Sequence, residues 1–328
     1  MKIFSGIRPT GDIHLGNYLG AIKQWIELQD KNDCIFCIAD LHAITTPYDR
    51  QSLQEKILET LVIYLAAGVN PEKSIIFVQS DVKEHSELAW LLGTITPTGE
   101  LLRMTQFKEK SKQYKNYVNA GLLNYPILMA ADILLYKTEG VPVGKDQSQH
   151  VELTRLIAKK FNRMFGETFK EPMIILSKHG EKIMSLTEPT KKMSKTDNPR
   201  SYISLFDKPS EIKEKIMMAT TDSGKEIIYH PIKKPGISNL LNLYHLLTQE
   251  PLPLIQKKFK KKNYAQFKKA LTDVVINYLS PFQRKQKELK TRNVYLQEIL
   301  KKGALQARTI AQSTMQEVKE KMGLLGRI

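Results

Sequence analysis

Two short stretches of this chain combine glycine, hydroxyl, imidazole and lysine side chains at spacings suited to holding phosphate groups. The first, residues 6–17, runs from a short apolar segment through Pro9, Gly11 and Gly16, and a helical pattern begins at Leu15. A strand, a glycine-rich turn and a helix N-terminus form an anion site, because unpaired N–H groups and the positive dipole end converge there. This stretch predicts a phosphate cradle, although alone it also fits a packing glycine and a surface histidine.

The second stretch, residues 190–199, places Lys191, Lys192 and Lys195 among small and hydroxyl residues and ends in Asn-Pro. This composition is typical of a loop rather than a helix or strand. Its lysines are either solvated or close on a triphosphate, where they would neutralise charge that develops on the phosphate oxygens. Taken alone, the stretch leaves both alternatives open.

A third feature is a lone carboxylate in an apolar segment. Asp132 is the only charged residue in the twelve-residue run 125–136. Burying a carboxylate is costly unless it is paired or hydrogen-bonded. We therefore expect Asp132 to have a dedicated donor, which is either a structural partner in the core or an N–H group of a ligand.

Alternating strand and helix patterns provide the framework for these stretches. Apolar runs at residues 34–38 and 75–78 are typical of buried strands, and a helical pattern over residues 53–65 separates them. Such alternation predicts an α/β fold with a mostly parallel sheet, which binds ligands at the carboxyl ends of its strands. Residues 141–150 repeat the order of strand, glycine turn and helix start.

Beyond Pro199 the strand patterns stop, and helical patterns with one apolar face continue. The formal net charge is +16, and between Pro251 and Lys302 there are 14 lysines and arginines against three acidic residues. A basic region this concentrated indicates a surface that binds nucleic acid. We predict an α/β domain at 1–199 and an all-helical domain at 200–328, with the option that the last helix packs back on the first domain.

Several other classes of protein are disfavoured. Cys34 and Cys37 would point to opposite faces of a strand, so they are predicted to be core residues rather than a metal or redox pair. Gly140 and Gly144 lack the spacing of a P-loop, and Asp146 replaces its Ser or Thr. Since neither a signal peptide nor a membrane-length apolar run is recognisable, we expect a cytoplasmic protein with no membrane partner.

Together, the phosphate-cradle stretch and the Lys-Met-Ser-Lys-Thr sequence at 192–196 resemble the two signature motifs of class I aminoacyl-tRNA synthetases. The joint match is far more specific than either motif. Further similarity, to the branch of the family that uses tryptophan, covers nearly the whole chain and is carried by residues 104–110, 132–136, 141–147 and 234–241. The resemblance implies a Rossmann-like catalytic domain and a helical domain that approaches the anticodon side of the tRNA.

Three positions depart from the pattern of the family. Asn17 stands where many members of the class carry a second histidine, which agrees with the tryptophan branch, and Thr196 replaces the usual final serine. Both residues keep a hydrogen-bonding side chain. Arg8 stands where some members have glutamine, which leaves its contact with ATP open.

The activity implied by the resemblance is that of a tRNA ligase. L-Tryptophan would be activated with ATP to tryptophanyl-adenylate and pyrophosphate, and then transferred to the 3′ terminal ribose of tRNA(Trp). Because the attacking carboxylate is already an anion, the reaction requires positioning and charge stabilisation rather than a protein nucleophile. Mg²⁺ is expected to bridge phosphate oxygens with few protein ligands, so no metal-binding residue is predicted. Members of the family are homodimers.

The resemblance also assigns residues to the site. Catalytic positions at the phosphates are expected at His14, Asn17, Lys192, Lys195 and Lys110. ATP-binding positions are expected at Arg8, Pro9, Thr10, Gly16, Asn17, Gly144, Lys145, Asp146, Ile183, Lys192, Met193, Ser194, Lys195 and Thr196. Tryptophan-binding positions are expected at Asp132, Phe4, His42, Tyr125, Met129, Val141, Val143 and Gln147.

Within this scheme, Gly144 and Asp146 hold the ribose, and Ile183 contacts the adenine. Asp132 accepts the indole N–H, so an amino acid without that group leaves the carboxylate with an unmet hydrogen bond. Apolar residues line the indole slot, and Tyr125 and Gln147 lie near the ammonium group.

Three alternative functions remain at this point. A tyrosyl-tRNA synthetase would share the fold and both motifs, although the residues between the motifs argue against it. A nucleotidyltransferase that makes a dinucleotide cofactor could use a similar His-Leu-Gly loop, but it would not need the lysine loop or the basic helical region. A non-catalytic RNA-binding protein would show no ATP turnover.

Overall fold

The structure is a computed structural model that describes residues 1–11, 13–176, 183–194 and 198–325. Its strands are β1 (Lys2–Ile7), β2 (Asp33–Ile38), β3 (Ser74–Val78), β4 (Gly140–Val143) and β5 (Met173–Leu176). Its helices are α1 (Leu15–Asn17), α2 (Lys23–Leu28), α3 (Asp40–Ala43), α4 (Leu53–Ala67), α5 (Glu84–Gly93), α6 (Thr98–Arg103), α7 (Thr105–Gln113), α8 (Ala120–Leu134), α9 (Ser148–Phe165), α10 (Pro209–Met218), α11 (Pro235–Thr248), α12 (Leu252–Phe259), α13 (Tyr264–Lys290) and α14 (Asn293–Lys321). Within these described ranges, no helix is both long and apolar enough to cross a membrane.

The five strands form one parallel sheet in the order β3-β2-β1-β4-β5. This confirms the predicted α/β fold. The chain leaves β1 towards β2 on one side and later returns to place β4 on the other side. Ligands of such sheets bind beyond the carboxyl ends of the strands at this switch point. The loops that leave the sheet there contain residues 8–10, after β1, and residues 144–146, after β4.

Large apolar and aromatic side chains fill the interface between the sheet and its helices. Trp25 stacks on Phe36 with ring centroids 4.6 Å apart and meets the edge of Tyr64 at 5.2 Å. Cys34 and Cys37 are buried and form no disulfide. Their prediction as core residues is therefore confirmed.

Helix α8 contains most of the apolar run around Asp132. Asn119 caps the helix, because its side chain accepts a hydrogen bond from the Leu122 N–H at 2.9 Å. Pro126 lies inside the helix, where it lacks the N–H that would extend the backbone ladder. The surrounding burial keeps the segment helical, and helix α8 thereby carries Asp132 into the interior, 3% exposed.

The chain divides by packing into two compact units. The sheet unit comprises Met1–Thr10, Trp25–Ser177 and Arg292–Ile328, and the helical unit comprises Gly11–Gln24 and Lys178–Thr291. These bounds differ from the predicted boundary at residue 199, because α1 belongs to the helical unit and α14 packs against β3 and α5 in the sheet unit. The functional division into residues 1–199 and 200–328 stays a prediction.

Gly303 allows helix α14 to lie directly against the edge strand β3. A Cβ atom at this position would stand 1.8 Å from the Ile76 carbonyl oxygen, which is a backbone atom that cannot move aside. An edge strand is otherwise open to pairing with another chain, and covering it with a helix prevents this. The close approach of α14 therefore requires glycine.

We expect Gly303→Ala to lower the free energy of unfolding by about 2–3 kcal/mol, because the added methyl group forces α14 away from the strand. Urea denaturation followed by circular dichroism measures the change. Gly20→Ala is the matched control, since a Cβ at Gly20 would have no atom within 4 Å. Equal stability of the two variants would contradict this role of Gly303.

Candidate active site

Asp132 is the centre of a buried polar network in the sheet unit. Its Oδ1 accepts hydrogen bonds from Gln79 Nε2 at 2.7 Å and from His85 Nδ1 at 2.6 Å. Its Oδ2 accepts one from His42 Nε2 at 2.7 Å. Sequence analysis expected a dedicated donor for Asp132, and the structure provides three protein donors. His42, which was expected to contact the substrate, contacts this carboxylate.

The network keeps Asp132 ionised. Burial alone would raise the pKa of the Asp132 carboxyl, but the charge of His42 and the hydrogen bonds from His42 and His85 lower it below its usual value. An ionised carboxylate only accepts hydrogen bonds, so the three surrounding groups must all donate. The site therefore presents a fixed negative acceptor in an apolar environment.

The expected indole slot lies in one apolar cluster. Phe4 and Val141 belong to the cluster, and Met129 and Val143 pack against it. Phe4 stacks on Tyr136, with centroids 5.6 Å apart and ring planes 10° from parallel. The four residues that were predicted to line the slot thus belong to, or pack against, the same core cluster of the sheet unit.

Tyr125 lies in a second polar group, which also includes Lys110. The Tyr125 hydroxyl is 2.8 Å from His150 Nε2, and Lys110 Nζ lies 4.5 Å from the centre of the Tyr125 ring. Burial, followed by the nearby charge of Arg8, lowers the pKa of Lys110 to about 8. Burial, followed by the charges of Lys110 and His42, lowers the pKa of His150 to about 4, so its ring is neutral at pH 7.

Residues 144–147 form the turn between β4 and α9. A Cβ at Gly144 would stand 2.7 Å from Asp146 Oδ1, so glycine leaves space for this carboxylate. Gln147 donates to Asp146 Oδ2 at 3.0 Å, and Lys145 and Asp146 are exposed. Gln147, expected near the ammonium group of the substrate, contacts Asp146.

The loop after β1 contains the predicted ATP-binding residues 8–10. Burial lowers the pKa of the Arg8 guanidinium, while Tyr114 and Tyr125 act in the opposite direction. Pro9 is buried, and the Thr10 N–H donates to the Arg8 carbonyl at 2.8 Å. These contacts form a tight turn at the carboxyl end of the strand.

In the helical unit, residues 14–17 form a reciprocal helix cap. His14 Nδ1 accepts from the Asn17 N–H at 3.2 Å, and Asn17 Oδ1 accepts from the His14 N–H at 3.3 Å. A Cβ at Gly16 would stand 2.9 Å from two atoms of the His14 ring. The spacing His-x-Gly-Asn is therefore explained locally. With Nδ1 accepting, a neutral His14 carries its proton on Nε2, the nitrogen suited to donate to a phosphate oxygen.

The lysine loop is held by a short antiparallel contact between residues 183–185 and 191–193. Ser185 N–H donates to the Lys191 carbonyl at 2.8 Å, and Met193 N–H donates to the Ile183 carbonyl at 3.0 Å. Ile183 and Met193 are buried, whereas Lys192 is exposed and Ser194 is half-buried. The other predicted loop positions, Lys195 and Thr196, lie outside the described residues.

Asn239 of helix α11 holds this contact from the other side. Its Oδ1 accepts from the Met184 N–H, and its Nδ2 donates to the Met184 carbonyl, both at 2.9 Å. Asn239 is 5% exposed. The two bonds replace a backbone partner for Met184 and fix the segment from which Lys192 projects.

Sequence reasoning gave no role to several polar residues of these groups. They are polar side chains in buried positions, and they comprise Gln79, His85, Tyr136, His150 and Asn239. Residues 234–241 contributed to the resemblance, and an asparagine among apolar helix positions is the one signal that could have identified Asn239. Tyr136 and His150 each end a stretch that was singled out for other reasons, and Gln79 and His85 stand in segments without any distinguishing spacing.

Comparison with known proteins agrees with the geometry. The sequence model of the family described as tRNA synthetases class I (W and Y) matches residues 1–280. The chain is 53% identical, over 99% of both chains, to a tryptophan–tRNA ligase from Caldanaerobacter subterraneus subsp. tengcongensis. A crystal structure of tryptophanyl-tRNA synthetase from Mycoplasma pneumoniae, 36% identical, superposes with a TM-score of 0.90 over 99% of this chain and 98% of the other.

A second solved structure is tryptophanyl-tRNA synthetase from Campylobacter jejuni complexed with ADP and tryptophan. It is 37% identical, with a TM-score of 0.85 over 99% of this chain and 100% of the other. The chain belongs to the class I tRNA synthetases for tryptophan and tyrosine. Within this family it stands with the tryptophan–tRNA ligases, with which it shares about half of its residues over the full length.

Asn239→Ala should raise the KM for ATP about tenfold, because Met184 loses both of its hydrogen bonds and the segment that carries Lys192 loosens. ATP-dependent pyrophosphate exchange measures the effect. Asn242→Ala is the matched control on the same helix, since Asn242 is equally buried and its Oδ1 has no partner among the described residues. A KM for ATP that rises equally in both variants would contradict the assignment.

Proposed function

We propose that this chain charges tRNA(Trp) with L-tryptophan and that Asp132 identifies the amino acid by accepting its indole N–H. The observation that carries this proposal is an ionised, buried carboxylate beside an apolar cluster. A carboxylate offers about four lone-pair directions. Among the described residues, two bonds reach Oδ1 and one reaches Oδ2, so the remaining direction lies on Oδ2.

The first step joins a tryptophan carboxylate oxygen to the α-phosphorus of ATP and breaks the bond from that phosphorus to the bridging oxygen of pyrophosphate. In the helical unit, we assign His14, Asn17, Lys192 and Lys195 to the phosphates. Ile183 contacts the adenine. Their role is to hold the phosphates and stabilise developing charge, because the nucleophile is supplied by the substrate. A ribose hydroxyl of the tRNA then attacks the activated carbonyl and releases AMP.

In the sheet unit, we assign Gly144 and Asp146 to the ribose and Lys110 to the phosphates. Tyr125 is assigned to the ammonium group of tryptophan, because its hydroxyl oxygen, which lies in the polar group around His150, can accept a hydrogen bond. Mg²⁺ would be held chiefly by phosphate oxygens and water. Mg²⁺ keeps several water ligands and binds substrate phosphates, so it requires few protein ligands.

The tRNA surface is assigned to helices α12 and α13 and the turn between them. Lys257, Lys260 and Lys261 are exposed there. Lys258 donates to the Tyr244 hydroxyl at 2.9 Å and to Glu250, and the buried Lys268 donates to two backbone carbonyls. These last two lysines stabilise the helical unit, so the basic stretch is only partly available to RNA.

We also propose a homodimer that acts in the cytoplasm, where tRNA is charged. Helix α5 of the sheet unit carries Trp90, whose side chain is 74% exposed. Tryptophan is enriched in the cores of protein interfaces, so we assign this indole to the surface that a second copy of the chain would cover.

The hydrogen bonds of Asp132 decide which variant tests its role. Asp132→Ala would leave three buried donors without an acceptor, so Asp132→Asn is preferable. We expect Asp132→Asn to lower kcat/KM for tryptophan in pyrophosphate exchange about 100-fold, because an amide N–H₂ now meets the indole N–H.

The KM for ATP should stay within about twofold in the same variant, because Asp132 has no assigned contact with ATP. Near-normal exchange with tryptophan would refute the assignment of Asp132. Exchange driven by tyrosine but not by tryptophan in the unmodified protein would refute the proposed function.

Replacing Lys257, Lys260 and Lys261 together by alanine should weaken tRNA binding and flatten its salt dependence. The slope of log K against log salt should fall by about 0.7–0.9 for each lost phosphate contact. Filter binding at several salt concentrations measures it, with adenylate formation and Lys31→Ala, an exposed lysine of the sheet unit, as controls. An unchanged slope would show that these lysines are only solvated.

A further inference from the structure

The chain of hydrogen bonds that begins at Asp132 continues to two residues with no part in the proposed function. His85 donates from Nδ1 to Asp132 Oδ1 at 2.6 Å, and its Nε2 lies 2.8 Å from the Tyr136 hydroxyl. His85 and Tyr136 are both 0% exposed. Helix α5 packs against helix α8, which carries Asp132 and ends two residues before Tyr136.

The geometry fixes how His85 is held. Asp132 is ionised and only accepts, so His85 carries a proton on Nδ1. Burial raises the pKa of Tyr136 far above its usual value, so its hydroxyl keeps its proton. A hydroxyl can both donate and accept, so Tyr136 bonds to His85 Nε2 in either direction. In both cases, the bond holds the His85 ring with Nδ1 towards Asp132.

Tyr136 is itself fixed against the expected indole slot. Its ring stacks on Phe4 and meets Phe77 at 5.9 Å with an angle of 62°. The Phe77 ring also lies 5.7 Å from that of His85. The packing of these rings thus restricts how the Tyr136 hydroxyl can be oriented relative to the His85 ring.

These contacts determine which way the Asp132 carboxylate faces. His85 and Gln79 both donate to Oδ1. This turns Oδ2 towards His42, whose bond uses one lone-pair direction of Oδ2 and leaves the other for a ligand. Rotating the carboxylate would break the bond from His85 and leave its N–H unpaired in the interior. The orientation of Oδ2 thus depends on a donor that lies away from the substrate.

We propose that His85 and Tyr136 are positioning residues that aim Asp132 Oδ2 and so set the preference for an amino acid whose ring carries an N–H. This inference rests on the proposed role of Asp132 as the indole acceptor. It assigns neither residue a contact with tryptophan. Their effect is on the direction of an acceptor and not on the size of the slot.

A substrate analogue separates this role from a merely structural one. In L-β-(3-benzothienyl)alanine, sulfur replaces the indole N–H while the bicyclic ring keeps nearly the same shape. The ratio of kcat/KM for tryptophan to that for the analogue in pyrophosphate exchange measures recognition of the N–H. A variant that only loosens the slot changes both values together and leaves the ratio unchanged.

Tyr136→Phe removes one hydroxyl and keeps the ring that packs on Phe4. We expect the ratio to fall about tenfold, through a higher KM for tryptophan with kcat within about twofold. Tyr64→Phe is the matched control, because Tyr64 is also fully buried and its hydroxyl donates to the Cys37 carbonyl at 3.2 Å. The control should leave the ratio unchanged.

His85→Asn gives a rescue comparison, because its amide can still donate towards Asp132, whereas His85→Ala cannot. We expect the ratio to be higher in His85→Asn than in His85→Ala, and Tyr136→Phe decides the matter if His85→Ala does not fold. If the unmodified enzyme uses tryptophan and the analogue equally well, the indole-acceptor role of Asp132 is refuted. If it discriminates between them and Tyr136→Phe keeps the full ratio, the positioning role alone is refuted.

Discussion

The need to keep the Asp132 carboxylate charged inside the protein constrains much of the sheet unit. An isolated buried charge is strongly unfavourable, and only hydrogen bonds of good geometry offset its desolvation. Its three donors come from separate segments: His42 from α3, Gln79 from the turn after β3, and His85 from α5. Each segment must therefore be placed correctly before the carboxylate can remain ionised. Under the proposed role of Asp132, fold and substrate recognition share this requirement.

The helical unit meets a different constraint, which is to begin the helix that follows β1: α1 continues without a break into a π-helical segment, Tyr18–Ile22. The first turn of a helix is costly to form, because its N–H groups have no partner within the helix. The reciprocal cap of His14 and Asn17 supplies local bonds, and the Leu15 N–H donates to the Ile203 carbonyl at 2.9 Å. The imidazole that stabilises this turn thereby carries its remaining proton on the nitrogen suited to a phosphate. The motif that caps the helix is thus also the one proposed to contact the phosphates.

Periodicity predicted the parallel sheet and the helical C-terminal region, because these depend on local spacing. The assignment of residues 6–17 and 190–199 to phosphate groups stays a prediction. Asp132 could be identified because a charge in an apolar run requires an explanation. Its donors could not, since they stand 47, 53 and 90 positions away and occupy segments of ordinary composition. The sequence left open that the last helix packs on the first domain, but one glycine in a long amphipathic helix does not identify β3 as the partner strand.

The hydrogen bonds of Asp132 also limit how much selectivity the carboxylate can provide. With three donors supplied by the protein, the carboxylate is largely satisfied before any substrate binds. A ring without an N–H then leaves one lone pair unmet, at a cost of about 1–3 kcal/mol, or roughly 5- to 150-fold in rate. Under the proposed role of Asp132, rejection of amino acids beyond this range must come from shape, for which Phe4, Met129, Val141 and Val143 are the proposed residues. In this proposal the apolar cluster is therefore as much a determinant of specificity as the charge beside it.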